Sequence, residues 1–332
     1  MKIIIPMAGR GSRLRPHTLT TPKPLIKLSG KTIVQHIVED VNNAFEQDVE
    51  EIAFIIGDFG KEIEEELISI ANKQGAKGSI YYQHQALGTA HAILCAKDSL
   101  KGNIVVAFAD TLFKANFKIK SNADATIWVQ KVADPSAFGV VKLNSNGIIS
   151  DFVEKPKKFV SDLAIIGIYH FKDGENLKKE LQFLIKNNIK DKGEYQLTSA
   201  LENMKKKGVN FVAGKVEEWL DCGNKKALIS TNKKVLEIKH LIKKTPKNHT
   251  NCTIKHPCYF GKNVQLKNCT IGPFVSINDN TLIENSNITN SIIQSNCDIK
   301  NAKLDNAMLG NNVIYDGKGT CVDLGDFSSI TQ

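Results

Sequence analysis

The stretch "KIIIPMAGRGSRLRP", residues 2–16, begins as a strand pattern and ends as a glycine-rich loop. Three consecutive isoleucines are typical of a strand that is covered on both faces. Strand and helix patterns then alternate as far as "NIVVAFAD", residues 103–110. This alternation predicts an α/β fold with a parallel sheet, in which ligands bind at the carboxyl ends of the strands. We therefore expect the loop from Ala8 to Arg15 and the carboxylate of Asp110 at the same edge of the sheet.

Residues 124–171 contain four further strand patterns, which predict a strand-rich insertion that forms one side of a pocket. They read "DATIWVQKV", "GVVKLN", "GIISDFVEK" and "LAIIGIYHF". A lysine-rich amphipathic helix is predicted from Asn224 to about Pro246. It separates the first part of the chain from a region with a different pattern.

In that last region an apolar residue recurs at every fifth or sixth position, with Gly, Asn, Asp and Ser between. The recurring residues are Phe260, Leu266, Ile271, Ile277, Ile283, Ile288, Ile293, Ile299, Leu304, Leu309 and Tyr315. This hexapeptide repeat indicates a parallel β-helix, with each aliphatic side chain pointing into a triangular coil. We therefore predict three domains: residues 1–223, a helical linker at 224–247, and a β-helix at 248–332.

The composition excludes several classes of protein. The 332 residues carry a net charge of +9. This charge fits anionic substrates or a general preference for lysine, but no basic block is interleaved with aromatic residues, so we expect no nucleic acid partner. No segment is long and apolar enough for a membrane span or a signal peptide, and the seven scattered cysteines fit a reducing compartment. The sequence predicts a cytoplasmic protein without a membrane partner.

The glycine-rich loop holds the only three arginines of the chain, Arg10, Arg13 and Arg15. Leu14 stands where a dinucleotide-binding loop has its third glycine, and no Gly-Lys-Ser/Thr ends the loop as in a Walker A motif. A guanidinium grips two phosphate oxygens at once, which a lysine ammonium does not. The pattern indicates a phosphate-binding loop in which at least one arginine is functional.

"MAGRGSRLRPHTLTTPKPL", residues 7–25, resembles the fingerprint of the sugar-nucleotidyltransferase family. Further motifs of that family follow in the same order: "QHQALGTAHA" at 83–92, "FAD" at 108–110, "FGVV" at 138–141, "VEKP" at 153–156, "GEYQLT" at 193–198 and "WLDCG" at 219–223. The tail is similar to that of the long-form thymidylyltransferases and uridylyltransferases. The resemblance implies a Rossmann-like domain with a mixed, mainly parallel sheet, followed by a left-handed parallel β-helix.

The resemblance also implies a reaction, in which dTTP or UTP transfers its nucleotidyl group to a sugar 1-phosphate and pyrophosphate leaves. Glucose 1-phosphate is the expected sugar substrate and Mg²⁺ the expected cofactor. Such chemistry depends on neutralising phosphate charge and on in-line positioning. A mannose-1-phosphate guanylyltransferase, a non-catalytic regulatory relative and a bifunctional enzyme with an acyltransferase tail are the alternatives.

Each family role falls on a residue of this sequence. The resemblance implies Arg13 and Lys23 as catalytic cations, and Asp110 and Asp221 as ligands of the metal. The implied sugar-phosphate-binding residues are Gly139, Glu154 and Lys155. The implied nucleotide-binding residues are Ala8, Gly9, Gly11, Gln83, Gly88 and Asp110. A glutamine presents both a donor and an acceptor to a pyrimidine edge. Because adjacent residues of a strand point to opposite faces, we expect Glu154 and Lys155 not to pair with each other.

Three departures from the family pattern bear on the sugar rather than on the reaction. Thr111 stands at a usual asparagine, Lys27 at a usual proline, and Lys192 at an arginine of some thymidylyltransferases. The short β-helix leaves aliphatic edges that need covering, so we expect a homo-oligomer. Since every implied site residue lies before Gly223, the tail is expected to be dispensable for catalysis.

Overall fold

The computed structural model describes residues 1–9, 11–45, 47–115, 123–238, 245–317 and 319–331. The chain forms two compact units: the first unit consists of Met1–Gly9 and Ile37–Trp219, and the second unit of Arg10–His36 and Leu220–Gln332. Arg10 itself and residues 239–244 of the predicted linker lie outside the described residues. The compact units divide the chain differently from the predicted domain boundaries at 223 and 247, which stay predictions.

The described helices are short and amphipathic. They are α1 (Ile33–Ala44), α2 (Lys61–Lys73), α3 (Thr89–Cys95), α4 (Gly174–Lys186), α5 (Leu197–Lys206) and α6 (Lys225–Ile238). Within the described residues, no helix combines the length and the apolar character that crossing a bilayer requires.

The first thirteen strands precede the helix α6. They are β1 (Lys2–Pro6), β2 (Lys27–Leu28), β3 (Lys31–Thr32), β4 (Glu51–Ile56), β5 (Lys77–Tyr82), β6 (Ile104–Ala107), β7 (Thr111–Lys114), β8 (Ala125–Lys131), β9 (Gly139–Leu143), β10 (Ile149–Glu154), β11 (Leu163–Phe171), β12 (Phe211–Lys215) and β13 (Glu218–Asp221). All four strand patterns of residues 124–171 are therefore strands.

A nine-stranded mixed sheet forms the centre of the first unit. Its order is β10-β9-β11-β6-β1-β4-β5, with β8 beside β11 and β12 beside β8. The strands β6, β1, β4 and β5 are parallel, whereas β11 runs antiparallel to β6, β8 and β9. The predicted α/β fold with a Rossmann-like parallel region is confirmed.

Two of the residues predicted at one edge of the sheet, Ala8 and Asp110, follow neighbouring parallel strands. Strands β1 and β6 are parallel neighbours, with Ile4 opposite Val106. Ala8 and Asp110 each follow this pair by four positions, so both lie beyond the carboxyl ends of adjacent parallel strands. The strands are held by the apolar core, in which Ile4 and Val106 are fully buried and a buried aliphatic side chain stabilises by about 1.5–3 kcal/mol.

Three ladders of short parallel strands form the tail within the second unit. The strands are β14 (Asn248–Thr250), β15 (Thr253–Ile254), β16 (Cys258–Phe260), β17 (Gln265–Lys267), β18 (Thr270–Ile271), β19 (Val275–Ile277), β20 (Leu282–Glu284), β21 (Asn287–Thr289), β22 (Ile292–Ile293), β23 (Asp298–Lys300), β24 (Lys303–Asp305), β25 (Met308–Leu309), β26 (Ile314–Asp316), β27 (Asp323–Leu324) and β28 (Ser329–Ile330). The ladders are β14-β17-β20-β23-β26-β28, β15-β18-β21-β24 and β16-β19-β22-β25-β27. Every recurring apolar residue is buried except the half-buried Phe260. The predicted left-handed β-helix is confirmed.

Asparagines turn the corners of the β-helix. Ten of them have φ between +45° and +61°, at positions Asn251, Asn263, Asn268, Asn280, Asn285, Asn290, Asn296, Asn301, Asn306 and Asn312. A short polar side chain tolerates this left-handed conformation better than a branched one. The amides also stack, since Asn263 Nδ2 donates to Asn280 Oδ1 at 2.9 Å and Asn280 Nδ2 to Asn296 Oδ1 at 3.2 Å. Seven of the ten corners are linked in this way to an asparagine of the next coil.

Candidate active site

The glycine-rich loop of the second unit brings Gly11 against Lys23. Gly11 has φ +63°, and a Cβ built on it would lie 2.8 Å from Lys23 Cβ. Only glycine fits this left-handed, crowded position without strain. The Thr18 hydroxyl donates to Gly11 O at 2.8 Å and closes the loop. The second glycine of the loop therefore fixes the place of Lys23, which is twelve positions further along the chain.

Arg13 lies on a short 3₁₀ turn, Ser12–Leu14, that buries Leu14 and leaves Arg13 exposed. The amide of Gly223 donates to Asp221 Oδ1 at 2.8 Å. A Cβ built on Gly223 would lie 3.0 Å from Asp221 Oδ1 and 3.4 Å from Arg13 Nη2. The structure thus brings two sequence-predicted residues, Arg13 and Asp221, to the same point at Gly223.

In the first unit, the predicted base-binding segment forms a compact turn ahead of α3. Gly88 has φ +115°, and a Cβ on it would lie only 2.5 Å from Tyr195 O. The backbone is locked there, because Tyr195 N–H donates to Leu87 O and Ala90 N–H donates to Tyr195 O, both at 2.9 Å. Gly88 is therefore required for the close approach of this turn to Tyr195.

Gln83 turns its amide nitrogen toward this segment. Its Nε2 donates to Gly88 O at 3.3 Å and to His91 Nδ1 at 3.1 Å. Partial burial lowers the pKa of His91, which favours the neutral ring that this bond requires. With both amide hydrogens directed into the protein, Oε1 is the atom of Gln83 that can accept a bond from a ligand.

Glu154 and Lys155 form the predicted sugar-phosphate segment at the end of β10. Glu154 is 13% exposed, and its Oε2 accepts a bond from the Thr198 hydroxyl at 3.1 Å. A Cβ on Gly139 would lie 3.1 Å from Glu154 Oε2. The strand edge at Gly139 therefore allows close approach to the Glu154 carboxylate.

The expectation that Glu154 and Lys155 do not pair is wrong. Lys155 Nζ lies 3.6 Å from Glu154 Oε1. The strand β10 ends at Glu154, and Lys155 has φ +41°, so the alternation of a strand no longer applies to this pair. Because the Lys155 side chain is 53% exposed, the ion pair leaves its ammonium accessible to a phosphate.

Lys192 supports this turn, a role that sequence reasoning missed. Its Nζ donates to Glu154 O at 2.8 Å and to Lys155 O at 2.7 Å. These bonds hold the carbonyl groups on either side of the left-handed Lys155. The sequence signal for Lys192 was its departure from the arginine of some relatives. Thr198, which donates to Glu154, is the last residue of the "GEYQLT" motif.

Asp110 is half-buried beyond β6 and contributes to the electrostatics of the sugar-phosphate segment. Burial raises the pKa of Tyr169 well above its usual range, and the carboxylates of Glu154 and Asp110 raise it further. Asp110 and Glu154 thus both act on one buried phenol. Ala8 and Gly9 follow the neighbouring strand β1, and a Cβ on Gly9 would have no heavy atom within 4 Å.

The carboxylates fit a magnesium ion better than a transition metal. Within the described ranges, no group of three or more His, Cys, Asp or Glu residues has the arrangement of a metal site. Mg²⁺ takes one or two carboxylates and completes its shell with water and phosphate oxygens, so it needs no such group. Asp110 belongs to the first unit and Asp221 to the second. Their assignment as metal ligands stays a prediction.

The predicted site residues divide between the units. Gly11, Arg13, Lys23 and Asp221 belong to the second unit; Ala8, Gly9, Gln83, Gly88, Asp110, Gly139, Glu154 and Lys155 belong to the first. Within the first unit, Gln83 and Gly88 form one cluster, and Gly139, Glu154 and Lys155 form another. Within the second, Gly11 meets Lys23, and Arg13 meets Asp221.

Comparison with known proteins identifies the family to which this chain is similar. The model of the nucleotidyl transferase family matches residues 2–238, well over half of the chain. The bifunctional protein GlmU of Methanococcus maripaludis is 32% identical over 239 residues, which cover 70% of this chain but 54% of that protein. The chain thus spans about half the length of this relative.

A second relative is similar along most of its length. The glucose-1-phosphate thymidylyltransferase of Streptomyces antibioticus is 28% identical over 312 residues, covering 86% of this chain and 85% of that protein. Among solved structures, a putative glucose-1-phosphate thymidylyltransferase from Bacillus anthracis, in complex with a sucrose, has a TM-score of 0.60 at 25% identity. That likeness covers 74% of this chain and 96% of the other. The chain therefore belongs to the nucleotidyl transferase family, among the sugar-phosphate nucleotidyltransferases.

Proposed function

We propose that the protein transfers a nucleotidyl group from dTTP or UTP to a sugar 1-phosphate, with glucose 1-phosphate as the preferred acceptor. A phosphate oxygen of the sugar attacks the α-phosphorus of the triphosphate and forms a new P–O bond. The bond from that phosphorus to the bridging oxygen of the β-phosphate breaks, and pyrophosphate leaves with the electron pair. The product is a nucleotide sugar.

The orientation of Gln83 supports a pyrimidine nucleotide, dTTP or UTP, as the substrate. The amide nitrogen is engaged by Gly88 O and His91 Nδ1, so Oε1 faces a ligand as an acceptor. The N3–H of thymine and of uracil is a donor, whereas N3 of cytosine and N1 of adenine are acceptors. This complementarity supports dTTP and UTP over CTP and ATP. The exclusion of GTP rests on the family resemblance of the "GTAHA" sequence, and guanylyl transfer remains the alternative.

Arg13 and Lys23 are the proposed catalytic cations. In this role Arg13 binds the leaving pyrophosphate and Lys23 the region of the α-phosphate. Such contacts lower the barrier because they are aimed where negative charge accumulates in the transition state. The exposed guanidinium of Arg13 and the close contact of Lys23 with Gly11 support the proposal.

Glu154, Lys155 and Gly139 are the proposed sugar-phosphate site. The Glu154 carboxylate accepts bonds from sugar hydroxyl groups, and the Lys155 ammonium binds the phosphate. The bond from Thr198 orients the carboxylate, and Lys192 holds the turn in which Lys155 is presented. The absence of a side chain at Gly139 leaves room beside Glu154.

Asp110 and Asp221 are the proposed ligands of Mg²⁺, together with phosphate oxygens. When bound, the ion would neutralise phosphate charge during the displacement. The donor chemistry supports this, because both side chains offer hard carboxylate oxygens and both are half-buried.

We also propose that the protein is a cytoplasmic homo-oligomer assembled through the tail. Three large apolar side chains of the last coils are exposed: Ile314 at 50%, Phe327 at 71% and Ile330 at 41%. A second copy of the chain would cover them. Light scattering of the full chain tests this proposal, and a monomer at micromolar concentration contradicts it.

The function is tested by a matrix of five triphosphates (dTTP, UTP, CTP, ATP and GTP) against several sugar 1-phosphates, scored by pyrophosphate release. We expect the highest kcat/KM with dTTP or UTP and glucose 1-phosphate. A preference for GTP and mannose 1-phosphate would replace the proposal with guanylyl transfer. No release with any pair would indicate a non-catalytic relative.

A further inference from the structure

The segment between the two proposed catalytic cations is held by the tail. Residues 16–30, here called the anchor segment, begin three positions after Arg13 and contain Lys23. The anchor segment and the β-helix belong to the same compact unit. Their contacts show how the place of Lys23 depends on residues some 300 positions away.

The first contact is a hydrogen bond between a buried histidine at the start of the anchor segment and a partly exposed aspartate of the tail. His17 is 3% exposed, and its Nε2 lies 2.6 Å from Asp323 Oδ1 on β27. A buried imidazole N–H is costly without an acceptor, and a carboxylate satisfies it with a strong bond. Lys225 Nζ, 3.6 Å from Asp323 Oδ2, fixes the other oxygen of the carboxylate.

The second contact lies two residues before Lys23. The hydroxyl groups of Thr20 and Thr21 both donate to Asp326 Oδ2, at 2.5 Å and 2.9 Å. Asp326 Oδ1 in turn accepts from Asn311 N–H at 2.6 Å, which ties the carboxylate to the preceding coil. One oxygen of Asp326 thus holds the β-helix and the other holds the anchor segment.

The third contact is a steric fit that continues along the coils. A Cβ on Gly325 would lie 3.0 Å from Pro16 Cβ. Further along, Gln294 Nε2 donates to Lys27 O at 3.0 Å. Contacts from the tail therefore lie both before and after Lys23 in the sequence, and two of them are made by the carboxylates of Asp323 and Asp326.

We propose that Asp323 and Asp326 are positioning residues for the phosphate-binding cations: they hold the anchor segment so that Lys23 and Arg13 keep a fixed spacing. This inference rests on the proposed function. It changes the expectation that the tail is dispensable for catalysis, because removing the β-helix removes every acceptor that holds His17, Thr20 and Thr21. In enzymes a misplacement of about 1 Å lowers the rate about 100-fold.

The test compares Asp323→Ala with Asp323→Asn. Alanine removes the acceptor of His17, whereas asparagine can retain an oxygen toward His17 and replaces the oxygen that faces Lys225 with an NH2 group. We expect Asp323→Ala to lower kcat about tenfold or more with a small change in KM. We expect Asp323→Asn to retain kcat within about threefold of the unaltered protein, because a neutral acceptor still orients the imidazole. A loss that is equal in both variants would overturn the role of the bond to His17.

Asp305→Ala is the matched control. Asp305 also accepts a threonine hydroxyl, from Thr289 at 2.8 Å, but this bond lies within the coils and outside the anchor segment. We expect its kcat and KM to equal those of the unaltered protein. The double variant Thr20→Ala/Thr21→Ala removes the donors of Asp326 and leaves the coils unchanged, so it keeps the test valid if an aspartate variant unfolds.

Hydrogen–deuterium exchange of residues 11–30 separates this inference from the proposed function. We expect faster exchange of these residues in Asp323→Ala and in Thr20→Ala/Thr21→Ala. In Asp305→Ala the exchange rate should equal that of the unaltered protein. Unchanged exchange and unchanged kcat overturn the inference even if the enzyme is active. If no substrate pair releases pyrophosphate, the proposed function is wrong, and so is the role of the two aspartates in catalysis. The exchange measurement still shows, separately, whether Asp323 and Asp326 hold the anchor segment.

Discussion

Replacing Gly88 by alanine tests whether the base-binding turn depends on its close approach to Tyr195. The new Cβ would lie 2.5 Å from Tyr195 O and 2.8 Å from Tyr195 N, and both are backbone atoms that cannot move like a side chain. The methyl group therefore has to separate the two segments. That movement breaks the bonds from Ala90 N–H to Tyr195 O and from Tyr195 N–H to Leu87 O.

Two contributions set the expected loss in the free energy of unfolding of Gly88→Ala. A non-glycine residue at φ +115° is strained by about 1–3 kcal/mol. The two lost backbone bonds add about 1 kcal/mol each. The free energy of unfolding should fall by roughly 3–5 kcal/mol, which lowers the Tm by roughly 6–20 °C for a unit of this size.

Gly147→Ala is the matched control for this substitution. Gly147 also has a positive φ, +74°, but a Cβ there would meet no heavy atom within 4 Å. It shares a positive φ and lacks the collision, so the contact with Tyr195 is the main difference between the variants. Scanning calorimetry measures both, and we expect Gly88→Ala to melt roughly 4–8 °C below Gly147→Ala. Melting temperatures within about 2 °C of each other would refute the reasoning.

Gly88→Ala should also weaken nucleotide binding, because Gln83 Nε2 donates to Gly88 O and the Gln83 side chain would be displaced with it. Titration calorimetry with dTTP measures this. We expect Kd to rise about tenfold, in keeping with the loss of one to two kcal/mol of oriented hydrogen bonding. A Kd equal to that of Gly147→Ala would show that Gln83 does not read the base.

Three further predictions concern charge. Arg13→Lys keeps the charge but loses the planar fork, so kcat should fall about tenfold or more in a pyrophosphate-release assay, and an unchanged kcat would contradict the phosphate role. Asp221→Asn should raise the Mg²⁺ concentration for half-maximal activity about tenfold, whereas normal turnover at low Mg²⁺ would remove Asp221 from the metal site. Burial lowers the pKa of His170 to about 4, below its value of about 6.5 in the unfolded chain. The unfolded state takes up the proton first, so stability should fall between about pH 6.5 and pH 4, by up to about 1.4 kcal/mol per pH unit, and urea unfolding of His170→Gln should show a weaker fall.

Local patterns predicted the parts of the structure in which interacting residues are close in sequence. Ile283 and Ile288 are buried as the hexapeptide repeat required, because each coil repeats the same short geometry. Gln83 and Gly88 were assigned through the family resemblance, and they lie only five positions apart and share a hydrogen bond.

Distant contacts were not predictable in this way. Lys192 reaches carbonyl groups 38 and 37 positions earlier, and His17 meets Asp323 across 306 positions. No periodicity connects such pairs, since they depend on how the chain returns to itself in three dimensions. The error at Glu154 has a local cause: the alternation of a strand was extended by one residue beyond the end of β10.

The asparagine corners restrict how the length of the tail can change. Seven of the corner amides donate to the corresponding asparagine one coil further on, 16 or 17 positions away. Deleting a residue within a strand turns the following side chains of that strand to the wrong face, whereas the turns already accommodate coils of 16 and of 17 residues. Deleting one whole coil leaves the remaining coils in register, because each coil contacts only its neighbours. Large changes in the length of the tail should therefore occur as gains or losses of complete coils.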